Sequence, residues 1–493
     1  MFSIILIFDH IKRVKISIFY MVRLESLMLT YSFDNKGKDS LYEYLYKSIR
    51  NDILTEKLQK QEKLPSKRAL AEHLGISTIT VENAYNQLVA EGYIYSKPKS
   101  GYYVSPIASP SIYTTTDKSR YTAEKESPAP EVYTADFANN SSAQESFPFV
   151  TWAKLMRQTI TDKQEQLMLN SPSVGVRELR CAISDYLFQF RGMSADPDCI
   201  IIGAGTEYLY SLIIQLLGRD KKYAVEDPGY RKIAQIYKAN NVTFDYIPLD
   251  DKGISTTELE KSSAQVLHIS PSHHFPTGIV TPVSRRYELL SWAAASADRY
   301  IIEDDYDSEF RFTGKPIPSL QSIDTLDKVI YINTFSKSLA STIRISYMVL
   351  PKELMELYRK ELSFYSCTVS NFEQYTLASF IQQGYFEKHI NRMRKYYKMR
   401  RNQVVSALNN CPFAEKLTIR EEDAGLHFLL KVDTDMTDEE LTRHCESKGI
   451  RVRALSHYYH LPIPEGDRQC LVINYAGVSQ ADLESVLDGW EKT

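Results

Sequence analysis

Lys337 stands in a hydroxyl-rich run, Thr334-Phe335-Ser336-Lys337-Ser338, with Arg344 shortly beyond it. Upstream lie an acidic run with a phenol, Glu303-Asp304-Asp305-Tyr306, and a glycine-rich turn, Gly203-Ala204-Gly205-Thr206. A lysine drawn out of water is a nucleophilic amine that condenses with carbonyls to a Schiff base. A carboxylate can hold a proton on a ring nitrogen, and a phenol can donate to a ring oxygen. Hydroxyls, a guanidinium and the amides at a helix start can hold a phosphate. Pyridoxal 5′-phosphate, an aldehyde on a pyridine ring with a phosphate tail, asks for all four at once. Each residue alone has a plainer reading. A lysine among serines is commonly surface, and Gly-Ala-Gly-Thr by itself is weak. Glu303-Asp304-Asp305 suits a metal equally well, but no histidine is spaced locally for one, so no metal is assigned. The constellation, in this order, carries the weight.

A second set of residues suits nucleic acid. Ser66, Lys67 and Arg68 open one helical stretch, and Thr78, Thr80 and Asn83 open the next. Polar side chains at the start of a helix can meet base edges in the major groove. Lys97 and Lys99 flank a turn and can reach backbone phosphates. Lys38 to Val104 holds ten Lys and Arg against eight Asp and Glu. That small excess predicts weak binding by one copy, so a homodimer on paired half-sites of double-stranded DNA is expected.

The elements that position these groups follow from the hydrophobic pattern. Leu41, Leu45, Ile49 and Ile53 mark the face of a first helix. Ser66 suits the N-cap of a second, Gly75 its left-handed stop, and Ser77 the cap of a third that buries Val81, Ala84, Tyr85 and Leu88. Ile94-Tyr95 and Tyr102-Tyr103-Val104 flank a Lys97-Pro98-Lys99-Ser100-Gly101 turn, which predicts a two-stranded wing. Residues 38–104 thus read as an N-terminal all-α, winged helix-turn-helix domain. Residues 105–133, rich in Ser, Thr, Pro, Ala and Lys, read as a flexible linker. From 134 to 493 short apolar runs alternate with helical ones. Strands are expected at Ile200–Ile202, Tyr223–Glu226, Val266–Ser270, Tyr300–Glu303, Val329–Asn333 and Ile345–Leu350, with a helix over Tyr287–Ala297. This predicts an α/β domain with a mostly parallel sheet. A small C-terminal α+β lobe is expected at about 370–493, with a long helix Phe386 to Ala407, strands Leu426–Val432 and Leu471–Tyr475, and a final helix.

A chain of 493 residues with 43% hydrophobic and 25% charged residues predicts several globular domains. Its formal charge of −3 confines any DNA contact to one region. Six cysteines without a Cys-x-x-Cys pair argue against disulfide and zinc frameworks. Residues 1–37 read as a leader, disordered or from a mis-assigned start, with Met21 and Met28 as later starts. Met1 to Phe8 is too short to span a bilayer, and its charges follow the run, the wrong order for a secretory signal. A cytoplasmic protein without a membrane segment is expected.

Leu64-Pro65-Ser66, Arg68, Leu70-Ala71, Leu74-Gly75-Ile76-Ser77, Ala84-Tyr85, Leu88 and Glu91-Gly92 resemble the winged-helix domain of the GntR family over residues 41–104. Thr78 stands where that family often has arginine, so an altered base readout is expected. Glu226-Asp227-Pro228-Gly229-Tyr230, Ser270 to Gly278, Glu303–Phe310 and Thr334–Tyr347 resemble the fold-type I aminotransferase domain of the MocR subfamily. The resemblance implies Lys337 as the Schiff-base lysine, Asp304 under the pyridine nitrogen, Tyr306 at O3′ and Arg344 on the phosphate. Gly205, Thr206, Thr334 and Ser336 join the phosphate cup. By the same resemblance Tyr230 stacks on the ring. His274 joins the cofactor set beside Phe275, which fills the place of an asparagine common in aminotransferases. Val472 falls where those enzymes carry the arginine that binds substrate carboxylate, with Arg468 the nearest arginine. The expectation is a regulator that binds pyridoxal phosphate and responds to it or to an amino-acid or amine effector. The alternative is a working aminotransferase with an accessory DNA-binding head. A third reading is a regulator that has lost the cofactor and binds DNA constitutively.

Overall fold

The computed structural model describes residues 29–34, 36–106, 133–139, 147–312, 317–421 and 425–478. The chain divides into two compact units, Met1–Ala129 and Pro130–Thr493.

In the first unit α1 (Leu41–Leu54), α2 (Lys67–Leu74) and α3 (Thr78–Ala90) precede a hairpin of β1 (Ile94–Lys97) and β2 (Gly101–Val104). The Ser66 hydroxyl accepts from the Ala69 amide and the Ser77 hydroxyl from the Thr80 amide, so both helices begin where a cap stands. Gly75, at φ 66°, ends α2 in the left-handed region open to glycine. Leu45, Ile49, Ile53, Leu70, Val81, Ala84, Tyr85 and Leu88 form the core, while Leu41, the fourth residue of the first predicted stripe, is 39% exposed. Leu29, Tyr31 and Phe33, which the sequence assigns to a leader, pack against this core. The Tyr31 hydroxyl donates to Asp52 at 2.8 Å. The leader through residue 28 and most of the linker lie outside the described residues.

The second unit begins with β3 (Ala135–Asp136). Its main sheet has eight strands, β4 (Ile200–Gly203), β5 (Tyr223–Asp227), β6 (Phe244–Asp250), β7 (Gly253–Ile254), β8 (Val266–Ile269), β9 (Tyr300–Asp304), β10 (Val329–Thr334) and β11 (Ser346–Val349). They lie in the order β4-β11-β10-β9-β8-β5-β6-β7. Pairing is parallel from β10 through β6, whereas β11 is antiparallel to both β10 and β4. The six expected strands of the sheet are therefore present. β6 and β7 were missed because Asp245, Pro248 and Asp250 break the apolar signal of a half-buried strand at the sheet margin.

The smaller lobe holds an antiparallel sheet ordered β12-β13-β16-β15, from β12 (Leu417–Arg420), β13 (His427–Val432), β15 (Arg453–Ala454) and β16 (Cys470–Asn474). β14 (Ile450–Arg451) pairs in parallel with β3, so this lobe also takes in the start of the unit. The helix Asn371–Gln382 packs instead on Phe149–Asp162 and on α4 (Arg177–Arg191), within the large lobe. The final helix expected after residue 478 falls outside the described residues. Among the described residues no helix is long and apolar enough to cross a membrane.

Candidate functional site

The parallel strands deliver their chemistry at their carboxyl ends, where open α/β sheets bind ligands. β9 ends on Asp304, and β10 ends on Thr334, leading into α7 (Phe335–Ser338), which carries Lys337. β4 leads through Gly205 into α5 (Thr206–Leu217), and β5 leads through Tyr230 into α6 (Arg231–Ala239). Ser346 at the start of β11 lies opposite both Gly203 and Thr334 in register, and its hydroxyl donates to Thr334 Oγ1 at 2.8 Å. Arg344 enters from the same end. Gly205 sits at φ 93°, and a Cβ there would fall 2.3 Å from Arg344 Nη2. Glycine lets the guanidinium lie against the helix start, where it bonds Glu207 at 2.8 Å. The Thr334 hydroxyl accepts from the Ser336 amide, and the Ser336 hydroxyl donates to the Ile343 carbonyl at 3.3 Å. Gly205, Thr206, Thr334, Ser336 and Arg344 are thus gathered at one edge.

The acidic run splits three ways: alternation sets Asp304 against Glu303, and Asp305 follows the end of β9. Glu303 accepts from the Leu320 and Gln321 amides, and Asp305 accepts from the Tyr331 hydroxyl and pairs with Arg191 at 3.0 Å. Asp304 alone of the three has neither a backbone amide nor an arginine against it among the described residues. Its Oδ2 accepts from the Tyr210 hydroxyl at 2.5 Å, and its buried Oδ1 has no partner. An orphaned buried carboxylate oxygen suits a ring N–H. Burial brings the Lys337 amine down to about 8, against the opposing pull of Asp307. The cofactor residues present therefore fit pyridoxal phosphate.

The remaining predicted members sit less simply. The Tyr306 hydroxyl lies 3.3 Å from His273 Nδ1, which lies 2.8 Å from Asp307. Burial holds the Tyr306 phenol well above its usual value, so it stays a donor. Tyr230 is 43% exposed and meets Phe275 edge-on at 5.9 Å. His274 turns Nδ1 to Thr277 at 2.7 Å, while its Nε2 lies 3.5 Å from Glu226. Burial drives His274 down to about 3 and Glu226 up to about 8, so both are neutral at pH 7. Sequence reasoning missed Tyr210, His268 and Glu226. Tyr210 lies one helical turn past Thr206 on α5, a spacing that could have flagged it. His268 accompanies Asp304 at 3.9 Å and Tyr237 at 2.7 Å, but as a lone histidine in a strand it carried no signal.

In the first unit the structure divides the predicted DNA residues. Ser66 is committed to its cap, and Thr80 places its hydroxyl 2.8 Å from the capping Ser77 hydroxyl. Lys67 pairs with Glu82 at 2.5 Å and lies over the Tyr102 ring at 5.8 Å. Arg68, Thr78 and Asn83 are exposed. Lys97 lies over the Tyr103 ring at 4.7 Å, and Lys99 occupies the wing turn at φ 58°. Ile79, not singled out by sequence, is 68% exposed at the start of α3.

Residues 136–489 match the family described as aminotransferase class I and II, and residues 41–104 match the bacterial regulatory proteins of the gntR family. The chain is 39% identical to the uncharacterized HTH-type transcriptional regulator YdeL of Bacillus subtilis, over 90% of this chain and 94% of that protein. It is 30% identical to the probable rhizopine catabolism regulatory protein MocR of Rhizobium meliloti, over 90% of this chain and 92% of that one. It is 29% identical to the HTH-type pyridoxine biosynthesis transcriptional regulator PdxR of Corynebacterium glutamicum, over 84% and 88% of the two chains. Among solved structures, Pyrococcus horikoshii kynurenine aminotransferase, described with PMP bound, shares the fold at TM-score 0.63 and 24% identity, over 74% of this chain and 90% of that one.

Proposed function

Because this chain belongs to the MocR subfamily of GntR-type transcription regulators, with a DNA-binding head and an aminotransferase class I and II domain, we propose that its cofactor pocket works as a sensor that changes operator affinity. The observation that carries this reading is the combination of an intact cofactor cup with Val472. That residue is fully buried among Phe275, Leu429, Leu455 and Tyr458, and by the resemblance of Leu471 to Gly477 it takes the position of the aminotransferase arginine. A bidentate guanidinium is the natural clamp for an amino-acid carboxylate. Its absence from that wall favours recognition over repeated turnover.

Bound in this pocket, pyridoxal phosphate supplies an aldehyde reactive toward primary amines and a ring that draws electrons from the attached group. Lys337 is the residue that holds the aldehyde carbon. Lowered to about 8 by burial, it has a far larger neutral fraction at pH 7 than an exposed lysine. Asp304, fixed by Tyr210, keeps the ring nitrogen's proton through its open Oδ1. Tyr306 would donate toward O3′, Tyr230 would cover the ring, and His274, held by Thr277, would back the wall beside Glu226. Gly205, Thr206, Thr334, Ser336 and Arg344 would hold the phosphate, with the Arg344 guanidinium, which Glu207 fixes at 2.8 Å, supplying the positive charge. In the head, Arg68, Lys97 and Lys99 neutralise phosphates, Thr78 and Asn83 meet base edges, and Ile79 offers apolar contact to a thymine methyl. Homodimers present two heads to paired half-sites.

An effector moves operator affinity only if it binds the two arrangements of the protein unequally, and a tenfold change corresponds to about 1.4 kcal/mol. The test is duplex binding by the full chain, on a duplex selected from a random pool, with and without pyridoxal phosphate and a panel of amines. The expected result is an affinity that changes with cofactor or amine in wild type and is insensitive to both in Lys337→Ala. Equal affinities throughout would refute sensing.

A further inference from the structure

β15 and β16 are hydrogen-bonded neighbours, with Arg453 directly across from Val472. Directly opposed residues of an antiparallel pair present their side chains on one face. Val472 is buried in the apolar group that contains Phe275, Leu455 and Tyr458. Arg453 is therefore carried onto the margin of that same group, where it is exposed. Its charge opposes the burial that raises the Tyr458 phenol.

A second arginine reaches this margin from the other lobe. Arg231, in the first turn of α6, places Nη1 3.1 Å from His457 Nε2 and donates to the His457 carbonyl at 3.2 Å. Its neighbour Tyr230 meets Phe275 edge-on, and Phe275 meets Tyr458 edge-on at 5.2 Å. The aromatic surface is thus continuous from the cofactor residue Tyr230 to the strand that carries Val472. The nearby carboxylate of Asp227 is buried and accepts from the His460 and Leu461 amides. Among the described residues Arg231 contacts a histidine ring and a carbonyl, neither of which carries a countercharge, and neither Arg231 nor Arg453 forms an ion pair. Burial, with both arginines adding to it, holds the intervening His457 toward its neutral form. Arg231 lines the crevice together with Glu226, Tyr230, His268 and Phe275, and Arg453 stands across the strand pair from Val472 in the apolar group that Phe275 shares.

We propose that Arg453 and Arg231 form an anion subsite that takes the carboxylate of the effector, one strand away from the wall position occupied by Val472. The inference rests on the reading of the pocket given above. It narrows the effector from any primary amine to a carboxylate-bearing one. A guanidinium pair at the rim holds a planar carboxylate by charge-assisted bonds, weaker than a buried clamp but selective for anions.

The test is calorimetric titration of the full chain with maleate, a carboxylate with no amine to react. Saturating pyridoxal phosphate keeps the phosphate-binding groups filled, and cofactor uptake is followed by visible absorbance in the same samples. Arg453→Ala and Arg231→Ala are each expected to weaken maleate about tenfold or more, the scale of one lost bond to a charged group. The double variant should abolish binding, and Arg453→Lys should retain part of it. Cofactor uptake should match wild type in all four. Undiminished maleate binding in both single variants, or no maleate binding by cofactor-loaded wild type, would overturn the subsite. Failure of wild type to take up the cofactor would instead overturn the pocket reading beneath it.

Discussion

The two units handle polar side chains in opposite ways. In residues 29–106 the caps, ion pairs and ring contacts lie at or near the surface, and no buried side-chain nitrogen or oxygen among the described residues lacks a partner. In the second unit eighteen such atoms are left unpaired, among them Asp304 Oδ1, Asp305 Oδ1, Glu309 Oε2 and the Nε2 atoms of His268, His273 and His274. An unpaired buried polar group costs about 1–3 kcal/mol. A fold retains several together where a ligand or bound water completes them. The first unit is finished on its own and reads a partner with its surface. In the second, Asp304 Oδ1 and the Nε2 atoms of His268 and His274 stand open beside the residues that fit the cofactor.

The largest expected effect tests this contrast at its most buried charge. The Arg191–Asp305 pair is 3.0 Å long, with side chains 2% and 0% exposed. Arg191→Met leaves Asp305 beside Glu309 and Glu303, which burial and Asp305 already raise. Removing one partner of a buried pair costs about 3–5 kcal/mol. All three tryptophans, Trp152, Trp292 and Trp490, belong to the second unit, so tryptophan fluorescence in urea reads that unit alone. The expected outcome is a large downward shift of that transition, with duplex binding per folded head unchanged. A shift below about 1 kcal/mol would mean that buried polarity is cheap here, and the contrast would fail.

The next effect is smaller and separates a ligand site from simple strain. If Asp304 Oδ1 is open for a ring nitrogen, Asp304→Asn removes a charge-assisted bond worth about 1.5–3 kcal/mol. Pyridoxal phosphate should then dissociate about tenfold to a hundredfold more readily, measured by dialysis and visible absorbance. The cofactor-free protein should be no less stable than wild type, because a buried charge has been removed. Unchanged cofactor affinity would turn the orphan oxygen from a binding feature into a defect.

How far the sequence reaches follows the same division. Caps and turns announce themselves, since Ser66, Gly75 and Ser77 act within four residues of their own positions. The six expected strands were legible because strands buried on both faces are continuous apolar runs, and β4 and β11 are as buried as the parallel four. β6 was not, because a half-buried marginal strand tolerates Asp245 and Pro248. In the pocket, Asp304, Lys337 and Arg344 were legible as a chain order of groups at strand ends. Tyr210 and Glu226 were not, because their roles come from burial beside Asp304 rather than from any local spacing. The three fates of Glu303, Asp304 and Asp305 also lay beyond a linear reading. Adjacent residues face opposite sides of a strand, and the tertiary fold alone supplies Arg191, Tyr331 and the Leu320 amide.

The smallest effect sharpens the comparison on the surface side. Lys67 and Arg68 are neighbours that sequence treats alike, but Lys67 is tied to Glu82 and lies over Tyr102 while Arg68 is exposed. A cation that neutralises a DNA phosphate releases a counterion, so its loss lowers the slope of log affinity against log salt by about 1. Arg68→Ala should show that change. Lys67→Ala should leave the slope near wild type, because its charge is already balanced within the protein. Its cost should instead be the part-exposed pair and ring contact that hold α2 to α3 and the wing, about 1 kcal/mol or less. Hydrogen exchange on the full chain would read that cost in residues 66–104. If both variants lowered the slope equally, the Glu82 pair would have to open on binding, and the first unit would not be finished on its own.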